Sequence, residues 1–238
     1  MKTKAVLIGA SGRVGQALAR ELAALYDTLI IITRTQPRAI SENTHIYHVH
    51  DFDLLPDRIA SMPIGQDTDA FSCLNITKKD AISDDEFYQV NVLFNTAFAK
   101  ACRDKGVSRF FYLSTMGADN AGHDPDLIAK SNVEHYLKSL DFNDLAFFRL
   151  HKLTPAKEKF SIKSLGRFGL SVAKNAANSL MPFDKKQRLT PKRVAVAMSL
   201  TAYQRQLRNR HQVNEHACVI ITHDDMCAMT EIGKHAIE

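Results

Sequence analysis

With only 4 cysteines, 7 prolines and 10 glycines among its 238 residues, the chain is poor in the residues that build special scaffolds. Collagen-like, disordered and disulfide-stapled chains are thereby excluded, since 45% hydrophobic and 24% charged residues describe an ordinary globular domain. Cys73, Cys102, Cys218 and Cys227 never fall in C-x-x-C spacing and sit in or beside apolar segments. They are expected to be buried free thiols in a reducing compartment. Long apolar runs are lacking too. Charges interrupt every stretch before the roughly 18 residues that a spanning helix needs, and Met1 to Gly9 shows neither an h-region nor a cleavage site. A cytoplasmic chain with no membrane segment is the expectation. The length suffices for one large core, so residues 1–238 are expected to form a single domain.

What is present alternates between short apolar runs and longer segments of helical period, the pattern of a parallel α/β sheet covered on both faces. Ala5-Val6-Leu7-Ile8 and Leu29-Ile30-Ile31-Ile32 read as strands buried on both sides. Between them Val14, Leu18, Leu22 and Leu25 mark one face of a helix. Further strands are expected at 45–49, 70–74, 110–113, 145–148 and 218–221. Phe87, Val90, Phe94, Ala97 and Ala101 form one helical stripe, and Ala129, Val133, Tyr136, Leu137 and Leu140 another. Six or seven strands with right-handed crossovers predict a doubly wound Rossmann sheet.

Gly9-Ala10-Ser11-Gly12-Arg13-Val14-Gly15 follows the first strand and opens the first helix. Glycines there allow a tight turn and close approach of a pyrophosphate, while unpaired N–H groups at the helix start face the anion. The second strand ends Thr33-Arg34-Thr35, without the acidic residue that would hydrogen-bond a free ribose 2′-OH. Arg34 and Arg13 supply two guanidinium groups for a 2′-phosphate instead, which favours NADP(H) over NAD. The alternative for Arg34 is a solvated strand end.

The glycine turn, Arg34, Asp51-Phe52 after the third strand, Leu113-Ser114-Thr115 ending the fifth and Lys130 in the next helix together resemble an atypical short-chain dehydrogenase/reductase. Among these the chain is similar to the NmrA-like and Tat-interactive-protein-like oxidoreductases, over residues 4–150 in detail and to about 200 in outline. The resemblance implies a seven-stranded nucleotide-binding sheet, Asp51 reaching the adenine amino group, and a substrate cleft shaped by the segment after strand six. Asn75 stands where many members carry Gly. The candidate cofactor residues are therefore Gly9, Ser11, Gly12, Arg13, Val14, Gly15, Arg34, Asp51, Phe52 and Asn75.

Family chemistry implies a Ser that polarises a carbonyl, a Tyr that exchanges the proton, and a Lys four residues after the Tyr that holds the nicotinamide ribose and lowers the Tyr pKa. Ser114 and Lys130 take the first and last places as candidate catalytic residues, but position 126 is Asp. None of the six tyrosines has a Lys four residues later. A carboxyl starts near about 4, and Lys130 one turn on is expected to lower it further and form a salt bridge. Tyr112, solvent or substrate remain as proton sources. Two functions stay open: an NADPH-dependent oxidoreductase on a small carbonyl-type substrate, and a non-catalytic NADP(H)-sensing or protein-binding module.

His45, His48, His50 and Asp51 invite a metal reading, but no Cys or second His cluster joins them, so no metal site is assigned. His123 and His151 fall on the sheet edge where substrates bind. Residues 151–193 carry eleven Lys and Arg against Glu158 and Asp184. Lys163, Arg167 and Lys174 in that basic substrate-cleft segment share one face if helical, either a solvated cationic face or one that attracts an anionic substrate, nucleic acid or acidic protein. Phe160, Phe168 and Phe183 are too few for stacking bases, so nucleic acid is not expected.

Overall fold

In a computed structural model of the chain, the structure describes residues 3–35, 41–151, 189–209 and 217–235. Seven strands, β1 (Lys4–Ile8), β2 (Thr28–Thr33), β3 (Thr44–His48), β4 (Thr68–Ser72), β5 (Arg109–Thr115), β6 (Asp144–Leu150) and β7 (Ala217–Ile221), form one sheet in the order β3-β2-β1-β4-β5-β6-β7. Every pairing is parallel. Each expected strand is present.

Alternation along the strands divides the apolar residues between two cores. Val6, Ile8, Ile30, Ile32, Ala70, Phe110, Tyr112 and Phe147 face one side. There they meet Leu55 and Ile59 of α2 (Leu55–Ala60), Phe87 of α3 (Asp84–Tyr88), Phe94 and Phe98 of α4 (Phe94–Asp104), and Val133 and Leu137 of α5 (Pro125–Ser139). Ala5, Leu7, Leu29, Ile31, Phe71, Phe111 and Phe148 face the other side. They meet Val14, Leu18 and Leu22 of α1 (Arg13–Leu25), Val194 and Met198 of α6 (Pro191–Asn209), and Met226 of α7 (His223–His235). Each fully buried Leu, Ile or Phe contributes about 1.5–3 kcal/mol, so both faces are needed to hold the sheet. No helix among the described residues is long and apolar enough to cross a membrane.

The stripe from Phe87 to Ala101 is not one uniform helix. A π-helical turn, Gln89–Leu93, joins α3 to α4. Its Asn91 and the following Asn95, both 1% exposed, turn inward among the apolar residues. Asn91 accepts from the Ile76 N–H at 3.0 Å and donates to the Ile76 carbonyl at 2.9 Å. Asn95 donates to the carbonyls of Val90, Asn91 and Leu74. Buried amides must find partners, and here they clamp the chain leaving β4. Such single π turns are frequent at functional sites.

At the opposite end of the sheet, Asp69, the second residue of β4, and Arg109, the first of β5, have no exposed side-chain surface. The Arg109 Nε donates to Asp69 Oδ1 at 2.6 Å, and Nη2 pairs with Oδ2. Tyr26, after α1, and Gln206, on α6, donate to the same carboxylate. Burial, reinforced by the Asp69 charge, pushes the Tyr26 phenol well above its ordinary range. Arg205 and Asp144 form a second pair beside it.

Two expectations are corrected. Cys73, Cys102 and Cys227 are buried free thiols, but Cys218 is exposed because it lies on the edge strand β7. Arg193, grouped with the basic segment, is buried in α6, where it donates to Thr230 Oγ1 at 2.8 Å and the Cys227 carbonyl at 3.1 Å. It ties α6 to α7. Lys163, Arg167, Lys174, Phe160, Phe168 and Phe183 lie outside the described residues.

Candidate functional site

The chain leaves β1 toward β2 on one side of the sheet and leaves β4 toward β5 on the other, so a crevice opens where their carboxyl ends diverge. A cavity of about 410 Å³ lies there. Gly12, Arg13, Val14 and Gly15 line it from the start of α1, Cys73, Asn75, Ile76, Thr77 and Asp80 from the chain after β4, and Leu113, Ser114, Thr115, Lys130 and Leu150 from the far side. Seven sequence-selected residues thus share one cavity. Gly9 and Ser11 belong to the same turn, while Arg34, Asp51 and Phe52 gather beyond the ends of β2 and β3. His123 and His151 are exposed and do not line the cavity; His151 instead packs against His223, ring centroids 5.5 Å apart.

The three glycines of the turn have different reasons to be glycine. Gly9 has φ +82°, and an added Cβ would sit 2.4 Å from the Cys73 carbonyl carbon and the Leu74 nitrogen. At Gly15 an added Cβ would fall 2.0 Å from the Gly9 oxygen. Both are dictated by the chain's own packing. Gly12 is not: its backbone is ordinary, φ −72°, and a Cβ would meet only the Gly9 oxygen at 3.5 Å. It is the N-cap of α1, and no side chain caps that helix start. The first-turn amides of α1 therefore face a cavity from which a methyl has been withheld, the arrangement a phosphate approaching backbone N–H groups requires. The residues present fit a dinucleotide.

Arg34, just past β2, places its guanidinium 5.6 Å from the Phe52 ring centroid. Phe52 is buried and packed edge-on against Phe94 at 5.2 Å, so it is also a core residue. Asp51 lies beside them, one carboxylate oxygen accepting from the Asp53 N–H at 2.9 Å and so starting a short 3-10 turn, Phe52–Leu54. Arg13 and Arg34 are both exposed and form no ion pair among the described residues.

On the far wall the expected chemistry changes. Ser114 is buried, and its hydroxyl donates to Glu134 Oε1 at 2.6 Å. Glu134, one helical turn past Lys130 on α5, is in turn held by Arg149 through Nε at 3.0 Å and Nη2 at 2.6 Å. Arg149 also pairs with Asp119 at 2.9 Å. The Ser114 proton is committed inward, so its lone pairs are what the cavity receives.

The expected Asp126–Lys130 salt bridge is absent. Asp126 faces solvent, and its carboxyl is pushed up, not down, by partial desolvation first and then by the neighbouring Asp124 charge, which together outweigh Lys130. Lys130 turns inward instead, donating to Tyr112 Oη at 3.2 Å and the Leu113 carbonyl at 3.4 Å, with Nζ 4.9 Å from the Tyr112 ring centroid. Burial pulls the Lys130 ammonium down to about 8 and pushes the Tyr112 phenol well up. Tyr112 has no exposed surface and does not line the cavity; Lys130 stands between them.

Sequence reasoning missed Asn91, Asn95, Glu134 and Arg149. The signal for the asparagines was two amides on an otherwise apolar stripe; nothing in the spacing marked the Glu134–Arg149 pair. Among the described residues no cluster of His, Cys, Asp or Glu is arranged to hold a metal, and His48 and His50 merely stack at 6.1 Å.

The chain is similar to known proteins in sequence and in fold. Residues 9–146 fit a protein family described as NAD(P)H-binding. HTATIP2 of Rattus norvegicus is 32% identical over 154 residues, which cover 63% of this chain and 62% of that protein. FMP52-2 of Scheffersomyces stipitis, named a mitochondrial protein, is 28% identical over 162 residues, 67% of this chain and 70% of its own. Among solved structures, UDP-glucose 4-epimerase from Brucella ovis in complex with NAD superimposes with a TM-score of 0.62 at 13% identity, covering 92% of this chain and 77% of that one, a likeness of fold alone. The chain belongs to the NAD(P)H-binding family, in the atypical short-chain dehydrogenase/reductase group that includes the NmrA-like and HTATIP2-like proteins.

Proposed function

We propose that this chain binds NADP(H) across the glycine turn and uses it to reduce a small carbonyl-type substrate in the adjoining cavity. The observation that carries the reading is the shared cavity: the open Gly12 position at an uncapped helix start lies on one wall, and Ser114 and Lys130 on the other. Gly9, Ser11, Gly12, Arg13, Val14 and Gly15 would cradle the pyrophosphate, Asp51 and Phe52 would border the adenine, and Asn75 the adenosine ribose. A bound reduced dinucleotide supplies hydride. The basic charge of residues 151–193 favours an anionic substrate. A cytoplasmic site of action belongs to the same reading, with the mitochondrial relative naming the competing compartment.

Preference for the 2′-phosphate rests on Arg34 and Arg13. Arg34→Glu is expected to weaken NADPH at least about tenfold while leaving NADH within about twofold, because a like charge then meets the phosphate. Equal losses for both nucleotides, measured by calorimetric titration, would contradict the assignment.

A second reading has its own observation. Ser114 gives its proton to Glu134 and no Tyr lines the cavity among the described residues, so the site departs from the family's Ser-Tyr-Lys arrangement. A nucleotide-sensing module would keep the fold and lose the reaction. Spectrophotometry with NADPH and a broad set of aldehydes, ketones and quinones decides: oxidation of NADPH supports the reductase, and tight binding without turnover supports the sensor.

A further inference from the structure

The cavity walls contain few protons that a substrate could take. Cys73 is held as a thiol, pushed up to about 12 by burial. Ser114 donates to Glu134, Thr115 to the Leu150 carbonyl at 3.3 Å, and Thr77 to Asp80 at 2.6 Å. Arg13 stands at the phosphate end, and a guanidinium does not release its proton near neutral pH. Lys130 differs from all of these. Its ammonium uses two N–H groups, on Tyr112 and on Leu113, and a third is left for the cavity that its side chain lines.

We propose that Lys130 is the proton donor of this site, the role the missing tyrosine would have held, with Tyr112 beneath it as a positioning residue. The inference rests on the reductase reading and deepens it. In the reductive direction a bound reduced dinucleotide would supply a hydride to the carbonyl carbon and be left oxidised, and the carbonyl π electrons move to oxygen. That oxygen takes a proton from Lys130 and becomes an alcohol. One N–H bond breaks, its electron pair stays on nitrogen, and the neutral amine recovers a proton from water. Nothing else is consumed.

The groups facing Lys130 set the pH at which this works. They are Cys73 beyond β4, Tyr112 on β5, Asp126 and Glu134 on its own helix, and, across the cavity, Asp80 and Arg13. Glu134 is already paired with Arg149, and Lys130 makes no ion pair among the described residues. Desolvation therefore dominates, leaving the amine close to about 8, where it both holds and releases a proton near neutrality.

The test has two independent readouts on the whole chain. Pulsed acetylation at a series of pH values, read by mass spectrometry without added nucleotide, is expected to give Lys130 a half-reactivity near about 8, against about 10.4 for a free lysine amine. A Lys130 value equal to that of a free lysine amine overturns the proposal. In turnover with NADPH, K130R is expected to lose about a hundredfold or more in kcat while keeping nucleotide affinity within about threefold, since Arg keeps the charge but holds its proton. Retention of more than about a third of kcat overturns the proposal and leaves the reductase reading intact. Absence of any wild-type turnover overturns both. Y112F guards against misfolding of the first variant: by removing an acceptor for the charged amine, it should shift the alkaline limb of the kcat profile down by about half a pH unit or more. A limb that does not move removes Tyr112 from the account.

Discussion

Gly12→Ala is expected to leave the fold intact and to strip the site of nucleotide affinity, whereas Gly15→Ala is expected to damage the fold itself. Gly12 has a backbone that any residue adopts and 3.5 Å of clearance to the nearest atom of its own chain. Alanine there lowers the entropy of the unfolded chain but is a poorer N-cap than glycine, so the two effects oppose and stability should change by under about 1 kcal/mol. A dinucleotide phosphate would meet the new methyl, and affinity should fall about tenfold to a hundredfold. At Gly15 the methyl would arrive 2.0 Å from the Gly9 oxygen and 2.9 Å from the Ala10 Cα, both backbone atoms that move only if α1 lifts from the turn. Such overpacking costs about 3 kcal/mol or more. Urea unfolding and calorimetric titration of the two variants separate the effects. If Gly12→Ala binds NADPH as tightly as the wild type, no phosphate approaches that amide.

Removing Arg109 should be the most damaging single change at the floor of the sheet. Both partners of the Arg109–Asp69 pair have no exposed side-chain surface, and Arg109 supplies two of the hydrogen bonds that hold the carboxylate. Arg109→Met leaves Asp69 charged and buried without the two hydrogen bonds of the guanidinium. The expected loss is about 3–5 kcal/mol. Replacing both, Arg109→Met with Asp69→Leu, should recover much of it, because apolar groups of similar volume need no compensation. The half-exposed Lys100–Asp104 pair, four residues apart on α4, is the control, and Lys100→Met should change stability by under about 0.5 kcal/mol. A loss at Arg109 no larger than at Lys100 would mean that water reaches the floor of the sheet.

The strands and the glycine turn were legible because each is a local pattern with a local cause. Leu29-Ile30-Ile31-Ile32 is a short, largely β-branched run of the kind a strand covered on both faces shows, and Gly9-x-x-Gly12-x-x-Gly15 gains its meaning from the strand before it and the helical stripe after it. Residues whose meaning depends on a distant partner were not legible. Lys130 looked like the mate of Asp126 because helical spacing brings them near, yet the structure turns it onto Tyr112, which periodicity could not reveal. Ser114 was found by its place at the end of β5, but its commitment to Glu134 depends on Arg149 arriving from β6. Arg109 drew no reading at all, and only the sheet register, which sets it opposite Asp69, makes it an interior residue.

The clamp of Asn91 and Asn95 on the segment leaving β4 has a bearing on how anything enters the crevice. That wall is braced from behind by amide pairs that no visitor need disturb, so the rim beside Ile76 is set in its final shape beforehand. Little chain freedom remains there to be surrendered on association, and the recognition step on this side should resemble a key entering a rigid lock.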